Sequence, residues 1–240
     1  MEQIFEINST IFNYLLFTLK NNNLDQDRVS FSELKNLLHN KKIFTPEEFA
    51  YETFYVICVA GFKQDYAKKM CQNVINLIEK QNGNITIDDL STVYGNKLKV
   101  KAIFDVWENR RKYCEYFYVC KTNEDKLSFL GSLPFVGSIT KYHLARNLGM
   151  NFVKYDIWIQ RLGVGLYGDE SLCDKVNNSH LLPEIKKACD VMFGHIHEET
   201  GEMVGFIDVV LWRSCQKGLI KINGKKVFLN KEFEKLFLQK

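Results

Sequence analysis

Asp156 is the single acid between Leu133 and Arg161, a stretch that also carries Lys141, Arg146, Lys154 and Arg161. Nineteen residues before it, Leu133-Pro134-Phe135-Val136-Gly137 closes a tight turn punctuated by proline and glycine, with Leu130, Leu133 and Val136 placed to anchor it. The helix after Gly137 opens through Ser138 and Thr140, and the N–H groups of its first turn have no intrahelical partner. A glycine turn leading into a helix start suits an anion, because the free N–H groups and the positive end of the dipole both favour a phosphate. Such a site holds a nucleic-acid backbone without reading its sequence. The four cations exceed the one acid by three, which equals the net charge of the whole chain, so the basic surplus sits around this turn. The plainer alternatives are that the cations form a solvated face and that Asp156 is an N-cap for the apolar run IWIQRL. An aspartate that opens a helix can do both, capping with one oxygen and presenting the other.

Three other patterns could carry chemistry. Gly163-Val164-Gly165-Leu166-Tyr167-Gly168 has the G-x-G-x-x-G form, but a dinucleotide site needs a strand before it and a helix after it. The preceding residues read as helix, so the dinucleotide site is rejected. His195-Ile196-His197-Glu198-Glu199 offers two imidazoles on alternate sides and is expected to be a solvated loop rather than a metal site. The seven cysteines are odd in number and widely spread, which suits reduced, mostly buried thiols.

These residues need elements to position them. The 240 residues are 46% hydrophobic and 25% charged, enough apolar material for one sizeable core or for two lobes sharing one, and without the composition of a disordered chain. Residues 4–21 and 30–39 read as amphipathic helices, the first with Ile4, Ile7, Ile11, Leu15 and Leu19 on one side. Thr45-Pro46-Glu47-Glu48 starts a helix that stays apolar nearly all round until Gly61, and Gln64 to Lys80 continues as another. Asn82-Gly83-Asn84 reads as a turn and Ile87 to Leu90 as a short helix. Residues 99–120 read as one long aromatic-rich helix, in which Trp107 is core or, alternatively, the wall of a base pocket. Val204 to Gln216 reads as a buried helix, Lys221 to Leu229 as a β-hairpin around Asn223-Gly224, and Lys231 to Lys240 as a terminal helix. No run of eighteen apolar residues occurs and the first twenty residues carry early acids, so neither a membrane span nor a signal peptide is expected, and a cytoplasmic location is the default.

LPFVGSITKYHLARNLG followed by KYDIWIQRL resembles the hairpin and catalytic-aspartate region of the helix-hairpin-helix DNA glycosylase superfamily. That family has a hairpin of the form LPGVG, then a helix, then an aspartate opening the next helix with a polar residue five positions on, as Asp156 and Arg161 are spaced here. The resemblance implies an all-α, two-lobed glycosylase-like fold over residues 1–240, completed by the small C-terminal β-hairpin. In it, 127–162 forms the hairpin and catalytic segment, and the active site lies in a cleft between lobes. It implies that Phe135, Gly137, Ser138, Thr140 and Lys141 hold the DNA backbone, that Asp156 is catalytic, and that Tyr142 and Trp158, each equally well placed to be core, join Trp107, read first as core, as candidates for the base pocket. His143 has no role in the motif and is expected at the surface or facing DNA. Some relatives bind an iron–sulfur cluster through four closely spaced C-terminal cysteines. The three cysteines after residue 170 are sixteen and twenty-six positions apart, so no such cluster is expected.

Two departures from the family pattern bear on function. Phe135 replaces the first hairpin glycine, which alters the turn or places an aromatic ring near DNA. Ile139 stands where members that also cut the strand have a lysine, and isoleucine cannot form the Schiff base of the lyase step. Lys141 is about 200° round the helix from Ile139 and does not replace it. The expected activity is therefore that of a monofunctional DNA N-glycosylase. Breaking an N-glycosidic bond leaves positive charge on the sugar, and a fixed carboxylate stabilises that charge and places or deprotonates the attacking water. The base must leave the stack, which favours a modified base whose pairing is weak or whose shape fits a pocket. An alkylated purine is the conservative substrate. A bulky hypermodified pyrimidine is the alternative, because the hairpin also resembles divergent members associated with phage DNA, in base excision as defence or in building such bases. A non-catalytic DNA-binding protein that keeps the hairpin is the reading from another class. The expected partner is double-stranded DNA containing a modified base, with a monomeric chain, no membrane, no metal and no organic cofactor.

Overall fold

The computed structural model describes residues 1–26, 28–40, 42–177 and 180–231. Among these the chain is mostly helical, with twelve α-helices, one 3-10 helix and one three-stranded sheet. It divides into two compact units, one of Met1–Asn40 with Gly149–Lys240 and the other of Lys41–Leu148. The stretch 127–162 is therefore shared: the hairpin belongs to the second unit and Asp156 to the first. The terminal helix expected beyond Lys231 lies outside the described residues.

The first unit contains β1 (Glu2–Ile4), α1 (Ser9–Asn21) and α2 (Phe31–Asn40), then α10 (Ile157–Tyr167), α11 (Pro183–Thr200), α12 (Val204–Lys217), β2 (Ile220–Asn223) and β3 (Lys226–Leu229). The helix expected over 4–21 starts late. Asn8 caps it by accepting from the Ile11 N–H at 3.0 Å, which leaves Glu2–Ile4 extended. Those three residues pair antiparallel with β3, Ile4 opposite Val227, so the expected C-terminal hairpin becomes a sheet in the order β1-β3-β2. The N-terminal residues thus bury Ile4 by long-range pairing, which periodicity over a helical window does not register.

In the second unit, α3 (Pro46–Val59) and α4 (Gln64–Lys80) pack with α5 (Ile87–Val93) and α6 (Lys97–Glu108), and α7 (Arg110–Val119), α8 (Asn123–Ser132) and α9 (Thr140–Asn147) follow. As its composition suggests, α3 is central, burying Phe49, Phe54, Val56, Ile57 and Cys58 among others. Gly61 ends it with φ +76°, and Asn82 and Gly83 turn the chain with positive φ. The single helix expected over 99–120 is two. At Asn109 the side chain donates to the Asp105 carbonyl at 2.9 Å and to its carboxylate, and this local bonding ends α6 before α7 starts.

Thr45 opens α3 with a complete capping box: its Oγ1 accepts from the Glu48 N–H and the Glu48 carboxylate accepts from the Thr45 N–H at 2.9 Å. Thr45→Ala is expected to lower stability by about 1 kcal/mol in urea denaturation. The bond from Lys42 and that from the Thr45 amide hold Glu48 below the usual carboxylate range. The Glu48 part of the box is therefore present above the ordinary glutamate pKa and lost as the pH falls through the lowered one.

Of the seven free thiols, five are buried and Cys120 and Cys173 are half-buried. Burial pushes Cys114, Cys189 and Cys215 up, away from the reactive thiolate. Brief iodoacetamide treatment of the folded chain is expected to label Cys120 and Cys173 first and to leave Cys189 and Cys215 unlabelled, as peptide mass spectrometry would show.

Candidate functional site

Asp156 ends an extended segment that its own unit holds from two sides. The α12 helix supplies the Gly205 N–H to Asn151 Oδ1 at 2.9 Å and the Asp208 carboxylate to the Lys154 N–H at 3.0 Å. The α11 helix supplies Asp190, whose Oδ1 accepts from the Tyr155 hydroxyl at 2.5 Å. Gln160, fully buried one turn into α10, donates to the carbonyls of Tyr155 and Asn177, both at 2.8 Å. The backbone at 151–156 is thus positioned before the carboxylate is considered.

The Asp156 carboxylate is 8% exposed as a residue and caps α10 through one oxygen. Oδ1 accepts from the N–H groups of Trp158 at 3.0 Å and Ile159 at 3.2 Å, while Oδ2 faces the Lys154 ammonium at 3.7 Å. That ion pair lies beyond hydrogen-bond reach. Both expectations for Asp156 are therefore compatible with one geometry: capping engages Oδ1, and Oδ2 has a fixed direction. Trp158 sits half-buried in the first turn of α10, with the Arg161 guanidinium 6.0 Å from its ring centroid.

The hairpin lies between α8 and α9 of the other unit. Leu130, Leu133 and Val136 are buried and anchor the turn, as their spacing suggests. Phe135 has φ +64°, a conformation that glycine adopts freely and a bulky side chain rarely does. The turn is made here with phenylalanine, and the residue stays 42% exposed. Gly137 and Ser138 are exposed and Thr140 half-buried, but the Gly137 N–H donates to Thr140 Oγ1 at 2.7 Å, so this amide is already engaged. Helix α9 proper begins at Thr140, two residues later than Ser138 suggests. Lys141 lies along Gly131 with its ammonium 5.3 Å from the half-buried Tyr142 ring, and Ile139 is buried.

The expectations for His143 and for His195 and His197 need correction, while Trp107 takes the first of its two readings. Trp107 is core: it is 3% exposed, its indole N–H donates to the Gly83 carbonyl at 2.8 Å, and Tyr51 and the Arg110 guanidinium cover the ring at 6.0 and 3.9 Å. Those partners leave no face of the indole for a flipped base. His143 is buried edge-on against Tyr55, not at the surface, because α9 turns this face onto α3. His195 and His197 lie in α11, not in a loop; His195 Nε2 is 3.3 Å from Glu199 and His197 Nδ1 is 2.7 Å from the Glu202 carbonyl. Among the described residues no group of three or more His, Cys, Asp or Glu side chains is arranged to hold a metal ion. The residues of the G-x-G-x-x-G pattern run through α10 to its C-cap, where two of the glycines permit close packing: a Cβ at Gly163 would lie 2.6 Å from Cys189 Sγ and one at Gly165 2.8 Å from Val227 Cγ2.

Asp208 and Lys99 are the positioning residues that sequence reasoning missed. Asp208 is an acid inside the apolar run VGFIDVVLW, and that isolation was the available signal. Lys99 is 2% exposed and its ammonium donates to the Cys58 carbonyl at 3.1 Å and the Ala60 carbonyl at 2.6 Å; nothing in KLKVKA marks it from its neighbours. A cavity of about 590 Å³ opens between α7 and α8, lined by Tyr113, Tyr116 and Phe129 with Lys112 and Lys121, and none of the expected site residues lines it. No described helix is long and apolar enough to cross a membrane. No protein-family model, curated protein or solved structure matches the chain.

Proposed function

We propose that the protein is a monofunctional DNA N-glycosylase that hydrolyses the N-glycosidic bond of a modified base, an alkylated purine or a bulky hypermodified pyrimidine, and leaves an abasic site. The observation that carries this is the division of labour at Asp156, whose Oδ1 holds two backbone N–H groups while Oδ2 keeps a set direction outside those bonds. A carboxylate locked in this way stabilises positive charge developing at C1′ with little reorganisation, and Oδ2 accepts a proton or a hydrogen bond from the attacking water. The left-handed turn at Phe135 supports the DNA-holding half of the proposal, because a strained conformation retained in an exposed turn points to a use for that backbone shape. Hydrolysis without strand cutting is supported by the buried aliphatic Ile139 at the lyase position. The test is release of free base, followed by mass spectrometry, from DNAs carrying alkylated, oxidised, deaminated and phage-type hypermodified bases. Release from one class names the substrate; no release from any of them, with DNA binding retained, removes the enzyme and leaves a binding protein.

A further inference from the structure

Phe62, Tyr66 and Phe135 are exposed by 42%, 46% and 42%, and Phe62 has both of the others within reach, Tyr66 directly and Phe135 through the shared neighbour Lys99. The left-handed turn at Gly61 ends α3 and sends Phe62 outward, where its ring lies 5.3 Å from Tyr66 on α4 at an interplanar angle of 37°. The Lys99 ammonium, fixed by its bonds to the Cys58 and Ala60 carbonyls, stands 4.3 Å from the centroid of Phe62 and 5.7 Å from that of Phe135. One buried cation therefore organises two of the three rings, and it joins the end of α3 to the hairpin. All four residues lie in the second unit.

Three solvent-facing aromatics, two of them beside a fixed ammonium, cost apolar exposure that polar residues would avoid, and Phe135 adds an unfavourable φ. The segment that carries Phe62 and Tyr66 is basic. Lys63 and Lys69 are exposed in it, and Asp65 is the one acid between Ala60 and Cys71. Aromatic faces beside cations are the composition of a single-strand platform, in which each base offers a π-face and each phosphate a charge.

We infer that Phe62, Tyr66 and Phe135 form a stacking platform for an unpaired nucleobase, so that the DNA strand held at the hairpin is single-stranded or locally unpaired beside it. This rests on the hairpin being a DNA-backbone site, as proposed above, and it narrows the substrate to DNA that exposes an unpaired base. Lys99 is a positioning residue, since its ammonium is taken up by two carbonyls and the rings and does not reach a phosphate.

The test is fluorescence anisotropy of a fluorescein-labelled single-stranded oligothymidylate and of its duplex with oligodeoxyadenylate, alongside sedimentation with phosphatidylserine-containing vesicles. The native chain is expected to bind the single strand about tenfold more tightly than the duplex, and Phe62→Ala and Phe135→Gly each to weaken single-strand binding about tenfold. Glycine meets the left-handed turn without strain, so Phe135→Gly removes the ring and keeps the backbone. Phe62→Trp keeps a ring and is expected to bind as the native chain does, which separates stacking from folding. Equal binding of both DNAs, native-like single-strand binding by Phe62→Ala and Phe135→Gly, or vesicle binding lost in these variants without a single-strand effect would each overturn the platform. Base release that depends on Asp156, without single-strand preference, would sink the platform and leave the glycosylase standing. Ring-dependent single-strand binding without base release would do the reverse.

Discussion

Asp156→Asn is expected to lower base release by about 10²–10³-fold while the fold and DNA affinity persist. Asparagine keeps a side-chain oxygen that can accept from the Trp158 and Ile159 N–H groups, and it is as good an N-cap as aspartate, so α10 retains its start. What is lost is the charge on Oδ2. The amide nitrogen then stands near the Lys154 ammonium in place of a carboxylate oxygen 3.7 Å away. Lys154 is partly exposed, and this contact is expected to cost under about 1 kcal/mol. Removing one negative charge beside a polyanion strengthens binding slightly, so a fall in product cannot come from weaker DNA affinity. Asp156→Ala removes the cap as well and is expected to cost a further ~1 kcal/mol of stability, which makes Asn the cleaner probe. Base release by mass spectrometry, anisotropy on the same DNA and a thermal melt make the comparison. Native release by Asp156→Asn would leave Asp156 a helix cap only and would remove the central step of the proposed chemistry.

Gly163→Val is expected to have the largest effect on stability, about 3 kcal/mol or more, with loss of the Asp156 geometry as a consequence. A Cβ at Gly163 would meet Cys189 at its Sγ, Cα and N, at 2.6, 2.9 and 3.0 Å. Two of those atoms are backbone of α11 and cannot turn aside as the end of a side chain can. Relief requires α10 and α11 to separate, and overpacking of this kind costs roughly 1–3 kcal/mol even where the neighbours yield. Gly163→Ala recovers about 1 kcal/mol from helix propensity and is expected to be milder. At Gly165 the nearest atom to a new Cβ is Val227 Cγ2, the end of a side chain, so Gly165→Ala is expected to be milder still. Urea denaturation of the three variants measures the order. A native-like midpoint for Gly163→Val would mean that α10 and α11 do not pack through this glycine. Gly163 and Gly165, which imitate a dinucleotide fingerprint, are thus explained by the close approach of α11 and of β3 to α10, without a nucleotide.

The sequence by itself determined what neighbouring residues settle between themselves. Thr45-Pro46-Glu47-Glu48 contains every group of its capping box, Gly61 and Asn82-Gly83 stop helices through their own φ, and Lys221 to Leu229 pairs across a two-residue turn. Asp156 belongs to the same class, because an N-cap bonds to amides two and three residues ahead and its spacing from the hairpin can be counted. Tertiary structure alone decided the features whose partners are distant in the chain. Glu2–Ile4 became a strand only because β3, more than two hundred residues away, offers it an edge. His143 and Trp107 were drawn into the core by α3 and by the Gly83 turn, while Phe62 and Phe135, no less apolar, were left outside around Lys99. Periodicity records which residues favour burial, but which of them find a covering surface depends on where other helices place theirs. For the same reason the acid at 156 was legible as a candidate, whereas Asn151, Asp190 and Asp208, which hold or flank its segment, became visible only once α11 and α12 were packed against it.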